Sequence, residues 1–333
     1  LVLLPLVTSV YPFLKYNYGS PVRSIQSIGW GSRSVRSRMF FLGIQYALTF
    51  LLVVSALYFN RQLDMLLHTE PGFRTKNILV AKLIYESQDF NGFTKERALA
   101  ERARTQLLNE KLLACPFIEY HQSGYESIID KTYGTNYVNA KGETAYLNIM
   151  YVSPQFFQMF DIDIEEGAIP EKSGRNIYVL NRAAMKAMNF SSLEEAAVVE
   201  DNRKRKDANA PMVPIVAVVK DYYNGHLSSG AAPILYNVSG SGGPRHQIAF
   251  PEGKKQDLLN YLKETMKEVY GAEEFTYSFL EDEVKALYDE DQKIASIYNI
   301  FAFIAIAVSC LGLFGISLFD IRQRYREIAI RKA

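Results

Sequence analysis

Residues 39–59, MFFLGIQYALTFLLVVSALYF, and residues 297–319, IYNIFAFIAIAVSCLGLFGISLF, contain no Asp, Glu, Lys or Arg. A helix needs roughly 20 residues to cross the hydrocarbon core of a bilayer, so both stretches read as membrane spans. Arg23, Arg33, Arg36 and Arg38 precede the first with no acidic residue among them; Arg322, Arg324, Arg326, Arg331 and Lys332 follow the second. Basic residues collect on the cytoplasmic side of a span. Both outer flanks are therefore assigned to the cytoplasm, and residues 60–296 to one large extracytoplasmic domain tethered at both ends.

The mean hydropathy of −0.07 is that of a soluble protein, because the polar domain dilutes the spans. A net charge of +1 offers no basic surplus of the kind that phosphate backbones select, which excludes nucleic acid as a partner. Cys310 falls in the second span and Cys115 in the outer domain, so no disulfide framework is expected. Residues 1–14 are apolar, with Pro5 and Pro12, but lack the basic start and small-residue cleavage site of a signal peptide. They read as the end of a truncated preceding transmembrane helix, leading into a cytoplasmic linker at 15–38. On that reading the chain is a fragment of a longer membrane protein.

Beyond the first span the helical pattern continues through Leu63, Leu66 and Leu67 until Pro71-Gly72 ends it. Residues 76–85 then read as a strand, 94–114 as an amphipathic helix and 116–121 as a second strand, one β-α-β unit. The pattern recurs with a strand at 245–250, a helix at 254–270 capped by Gly271, and a strand at 275–280. Two such units predict a split β-α-β sheet packed on two helices. Between them, strands at 146–151, 177–180 and 213–220 and helices near 154–160 and 181–188 predict an inserted mixed α/β subdomain. It returns through Ser239-Gly240-Ser241-Gly242-Gly243-Pro244, a turn by composition. No Pro or Gly separates residues 282–296 from the second span, so one long helix is expected from about Asp282 through Phe319.

Catalytic and metal chemistry find little support in the residues. His68, His121, His226 and His246 are the only histidines, and none has a partner at metal-ligand spacing. Asp161, Asp163, Glu165 and Glu166 lack the alternation of a calcium loop and read as a solvated strand edge with a turn at Gly167. Arg203-Lys204-Arg205-Lys206 reads as a solvated loop, with anionic lipid or glycan as the alternative. No G-x-S-x-G elbow occurs, and no Ser, His and Asp set can be nominated for nucleophilic catalysis. Residues 189–191 and 237–239 fit the short glycosylation pattern. In the cytoplasmic tail, residues 320–333, Ile321, Tyr325 and Ile328 share a helical stripe, and Glu327 and Arg331 form an i,i+4 pair. By composition alone a basic anchor that snorkels to lipid headgroups is the slightly preferred reading of this tail.

Gly312-Leu313-Phe314-Gly315, Phe319, Arg324 and Glu327-Ile328-Ala329-Ile330-Arg331-Lys332 resemble the closing motif of the MacB/FtsX family of ABC-transporter permeases, with Ala329 where that family usually has Gly. Gln45, Gly72-Phe73, Val152 to Phe157, and Val216 to Asp221 with Leu227 and Pro233 resemble further family segments in the same order. The resemblance implies a porter-like subdomain at 76–123 and 245–282, an inserted subdomain at 124–244, and a coupling helix that meets a cytoplasmic ABC ATPase through Arg324, Glu327, Ile328, Ile330, Arg331 and Lys332. It implies a permease subunit of the bacterial inner membrane with its large domain in the periplasm, and no catalytic residue, metal or cofactor of its own. The work expected of it is mechanotransmission for export or extraction of a periplasmic or outer-leaflet substrate. Residues 1–14 and Ser20-Pro21-Val22-Arg23 suggest the second half of an eight-span member, whose partners would include the other half of the permease, the lipid bilayer and a periplasmic or outer-membrane protein. The alternatives are an activator of cell-wall hydrolases with the same topology, and a two-span ligand-sensing receptor.

Overall fold

The computed structural model describes residues 32–84, 94–125, 127–129, 133–171, 177–207, 209–238, 242–272 and 274–332. The expectations for residues 1–14, most of the linker and Ser239 to Ser241 lie outside these. The described residues form two compact units, one of the membrane helices up to Leu63 and from Gln292, the other Asp64–Asp291.

Helix α1 runs Ser32–His68, and residues 39–68 of it are long and apolar enough to cross a membrane. Its large side chains face outward: Phe40 is 66% and Phe50 72% exposed, which in water would be unfavourable and in lipid is not.

Strand β1 (Ile78–Lys82), helix α2 (Lys95–Ala114) and strand β2 (Tyr120–Gly124) follow. The expected strand at 116–121 starts later, because Pro116 and Phe117 occupy a turn and Ile118 N–H bonds the Cys115 carbonyl at 3.3 Å. The middle of the chain supplies β3 (Gly134–Asn139), β4 (Thr144–Tyr151), α3 (Phe156–Met159), β5 (Ile164–Gly167), β6 (Tyr178–Asn181), α4 (Arg182–Ala187), β7 (Ala197–Glu200), α5 (Asp201–Lys206), β8 (Val213–Val219) and β9 (Ile234–Asn237). The chain then returns through β10 (Arg245–Ala249), α6 (Lys255–Tyr270), β11 (Thr276–Phe279), α7 (Leu280–Ala286) and α8 (Asp289–Lys332).

The first and last groups of strands make a four-stranded sheet in the order β11-β1-β10-β2, antiparallel throughout. The strand of one unit separates the two strands of the other, which is the split β-α-β arrangement. Strand β1 is apolar and buried from Ile78 to Ala81, with only Lys82 at its end exposed, because both its faces are covered. Leu79 and Ala81 face a core with Leu108 and Leu112 of α2 and Leu258, Leu259, Leu262 and Met266 of α6, while Ile78 and Val80 enter a second core. Gly271 ends α6 at φ 71°, the left-handed conformation a glycine cap supplies.

The remaining strands form a seven-stranded sheet, β5-β8-β6-β9-β4-β3-β7, in which β7 also pairs with β8 and closes the ring. Strand β8 is thus hydrogen-bonded to β5, β6 and β7. One face, with Leu147, Leu180, Val198, Val218 and Leu235, packs on Ala184 and Met185 of α4. The other, with Val179, Ala217, Val219 and Tyr236, shares the core that Ile78 and Val80 enter.

Two further local expectations are corrected. Residues 201–206 form the short helix α5 rather than a loop, started by the acidic Asp201 in its first turn. The helix expected from Asp282 is two helices, interrupted at Leu287 and Tyr288. Their N–H groups bond Val284 O at 3.2 Å and Lys285 O at 3.0 Å, three residues back, so the last turn of α7 tightens. Tyr288 is drawn inward and only 4% exposed. No Pro or Gly marks this break; a tertiary contact makes it.

Candidate functional site: the helix pair and the two ends of the long helix

Polar side chains inside an apolar span are costly unless they find partners. Here Thr49 pairs with Ser309 and Asn60 with Asn299, while the Gln45 amide nitrogen is buried without a hydrogen bond among the described residues. The Thr49 hydroxyl donates back to Gln45 O at 2.9 Å, as Ser and Thr do in helices, and meets Ser309 Oγ at 2.6 Å. Asn60 and Asn299 exchange side-chain hydrogen bonds at 2.6 and 3.1 Å, and the Phe59 and Tyr298 rings stack at 4.5 Å. Gly312 faces Gln45: a Cβ there would stand 3.0 Å from the amide oxygen, so the missing side chain makes room for the amide. The contacts run from Gln45 and Thr49 against Gly312 and Ser309 to Phe59 and Asn60 against Tyr298 and Asn299, an antiparallel seam. Gln45 and Gly312 were singled out by resemblance alone; Thr49 and Ser309 carried no sequence signal, because a lone hydroxyl in a span reads as neutral.

The six tail residues expected to meet an ATPase all lie on α8, which runs 44 residues without a break, about 66 Å at 1.5 Å per residue. Arg324 is exposed. Of the expected stripe, Ile321 and Tyr325 are exposed, the latter at 71%. The side chains of Glu327, Ile328, Ile330, Arg331 and Lys332, and with them the Glu327–Arg331 pair, lie outside the described residues, although their backbone is helical.

At the other end of α8 the structure assembles a Ser, His and Asp set that sequence inspection could not nominate, since Asp291 lies far along the chain from His226. His226 Nε2 is 2.9 Å from Asp291 Oδ2, and Nδ1 is 2.6 Å from Ser228 Oγ. The Ser228 main-chain N–H also points at Nδ1, at 3.2 Å. Nδ1 is therefore the acceptor and Nε2–H the donor to Asp291. The single lone pair on Nδ1 already caps a turn of 3₁₀ helix (Leu227–Ser229), which weakens it as a base for the hydroxyl. The His226 ring sits 4.9 Å from that of Tyr288. The arrangement fastens; it is poorly placed to catalyse.

His121 and His246, on neighbouring strands β2 and β10, stack at 5.0 Å with Nε2 of the first 2.8 Å from Nδ1 of the second. Burial holds both neutral, lowering His121 to about 4 and His246 to about 3. Among the described residues no group of three or more His, Cys, Asp or Glu is placed to hold a metal. Of the acidic run, Glu165 and Glu166 lie in strand β5 while Asp161 and Asp163 precede it; Gly167, where a turn is expected, is instead the strand's last residue, at φ 78° and paired with Ala217. Arg182 bridges Glu165 and Glu166, the latter at 2.6 Å. In the glycine-rich joint, Gly243 abuts Gly124 so closely that a Cβ would lie 2.3 Å from its carbonyl carbon; this end of the joint is packed. A groove of about 380 Å³ beside it is lined by Tyr125, Tyr133, Ile149, Met150 and Tyr151 with Gly124 and Gly242.

No protein-family model matches the chain, and no curated protein sequence does. Among solved structures, the periplasmic region of MacB from Actinobacillus actinomycetemcomitans is similar at 16% identity and a TM-score of 0.42, over 67% of this chain and 98% of that one. A domain described as belonging to a permease protein from Porphyromonas gingivalis is similar at 12% identity and a TM-score of 0.39, over 62% of this chain and 91% of that one.

Proposed function

We propose that the chain is a permease subunit of an ABC transporter that carries ATP-driven movement from a cytoplasmic ATPase to a periplasmic domain, and is not itself an enzyme. The observation that carries this reading is the uninterrupted helix α8, which joins the first turn at Asp289, beside the β-rich domain's own residues, to the family-like motif ending at Lys332. Long helices curve gently but turn sharply only at Pro, at Gly/Ser pairs or where the hydrogen-bond ladder is interrupted, and the helix is continuous between those ends. The arginine flanks orient it with the tail in the cytoplasm. ATP binding would displace the ATPase contact at Arg324, Glu327, Ile328, Ile330, Arg331 and Lys332, and the helix would pass the displacement on.

The substrate or partner handled on the far side is periplasmic or drawn from the outer leaflet. Activation of a cell-wall hydrolase would use the same helix and differ only in what the outer domain touches. The docking role is tested by Glu327→Ala with Arg331→Ala in the complete transporter. The ATPase should still co-purify, but its stimulation by the permease should fall at least tenfold. Full stimulation in the double variant would exclude these residues from coupling.

A further inference from the structure

The segment after β8 touches both helix roots of the domain. Gly72, a few residues beyond the end of α1, adopts φ +88°, and a Cβ there would meet Asp221 O and Tyr222 Cα at 3.3 Å. One residue before it, the Pro71 carbonyl accepts the Tyr223 N–H at 2.9 Å. Three residues further on, His226 reaches the first turn of α8 through Asp291 at 2.9 Å and packs its ring on Tyr288. Between these grips Tyr222 is fully buried, 5.3 Å from the Phe73 ring, with its hydroxyl donating to Met150 sulfur at 3.9 Å. Asp221 accepts the Ala183 N–H of α4 at 2.9 Å. The segment's own turn is closed by Ser229 N–H on His226 O at 2.9 Å.

We infer that residues 221–229 form a yoke, a single conformational element that fastens the exit of α1 and the start of α8 to each other and to β8. The contacts are directional and short, so the yoke cannot yield at one grip without strain at the other. Strand β8, which receives it, is hydrogen-bonded to three neighbours. His226 acts as a positioning residue: it donates Nε2–H to Asp291 while its Nδ1 holds the turn that sets the ring, and Tyr288 supplies the apolar seat. A displacement of either helix root then reaches β8 as one motion. That consequence rests on the permease reading, whereas the yoke itself does not.

Hydrogen exchange on the full chain in detergent, with no ATPase present, tests it separately from that reading. His226→Ala should raise exchange of the amides at 226–230 and 287–291 about tenfold, and also that of Tyr223, which is bonded to Pro71 on the far grip. Gly72→Ala, which perturbs only the α1 side, should reciprocally raise exchange at 287–291. The amides of α2 and α6 should keep their protection in both, showing that the fold survives. His226→Gln, which retains a side-chain donor, should restore most of the protection. Effects confined to the mutated grip in both variants would overturn the yoke. Should His226→Ala fail to fold, Asp291→Asn removes the charge alone and is held to the same two-sided outcome.

Discussion

Asn181 shows how much a single buried polar residue can organise. It is wholly buried, accepts N–H groups from Ala184 and Ile234 at 3.0 and 2.9 Å, and donates to Ala232 O at 2.7 Å. One side chain thereby caps α4 and pins the start of β9. Asn181→Ala strips a cap and strands two backbone groups, a loss of about 3 kcal/mol, and should lower the melting temperature by roughly 5–10 °C; a shift under about 1 °C would mean that water replaces the amide. His121 and His246 make a prediction in pH. Their folded pKa values, about 4 and about 3, lie below the ordinary 6.5. Below pH 6.5 the unfolded chain therefore binds protons that the folded one refuses. Their contribution is fully present above about pH 6.5 and is lost as pH falls toward the folded values, with a slope approaching two protons. Melting measured from pH 7.5 to 5 should fall more steeply in the native chain than in His121→Gln, His246→Gln; equal slopes would contradict the burial argument.

Most elements were legible because their periodicity is local: α6 shows its apolar stripe, α2 its length, and Gly271 its cap. What stayed hidden depends on contacts between distant residues. Strands β3 and β7 are short and carry polar residues such as Asn136, Asn139 and Glu200, so neither alternation nor a continuous apolar run marks them. The break before α8 follows from Tyr288 docking on His226, and the set formed by Ser228, His226 and Asp291 exists only once the chain has folded. The membrane seam was half legible, through Gln45 and Gly312. Its geometry predicts that Thr49→Cys with Ser309→Cys, in a Cys310→Ala background, forms a disulfide on mild oxidation, since the native oxygens are 2.6 Å apart. Adding Gly312→Leu should cut the yield several-fold by driving a side chain into Gln45. Equal yields with Gly and Leu would mean that the glycine does not set the approach.

At the scale of the whole molecule the sequence pattern and the folded chain agree on two apolar helices flanking a domain of two sheets, with β1 feeding a core on each of its faces. The proposed work follows from continuity: α8 carries the tail motif and the Asp291 grip on one helix. If α8 is a rod, interrupting it should separate the ATPase from the domain without unfolding either. The direct measurement is hydrogen exchange in the complete transporter, comparing the ATP-free state with the state bound to a non-hydrolysable ATP analogue. In the native chain, the analogue should alter exchange at 221–229 and 287–291. With two glycines inserted after Ser296, the ATPase should still bind and those changes should vanish. Changes that persist through the broken helix, or that never occur in the native chain, would contradict transmission along α8.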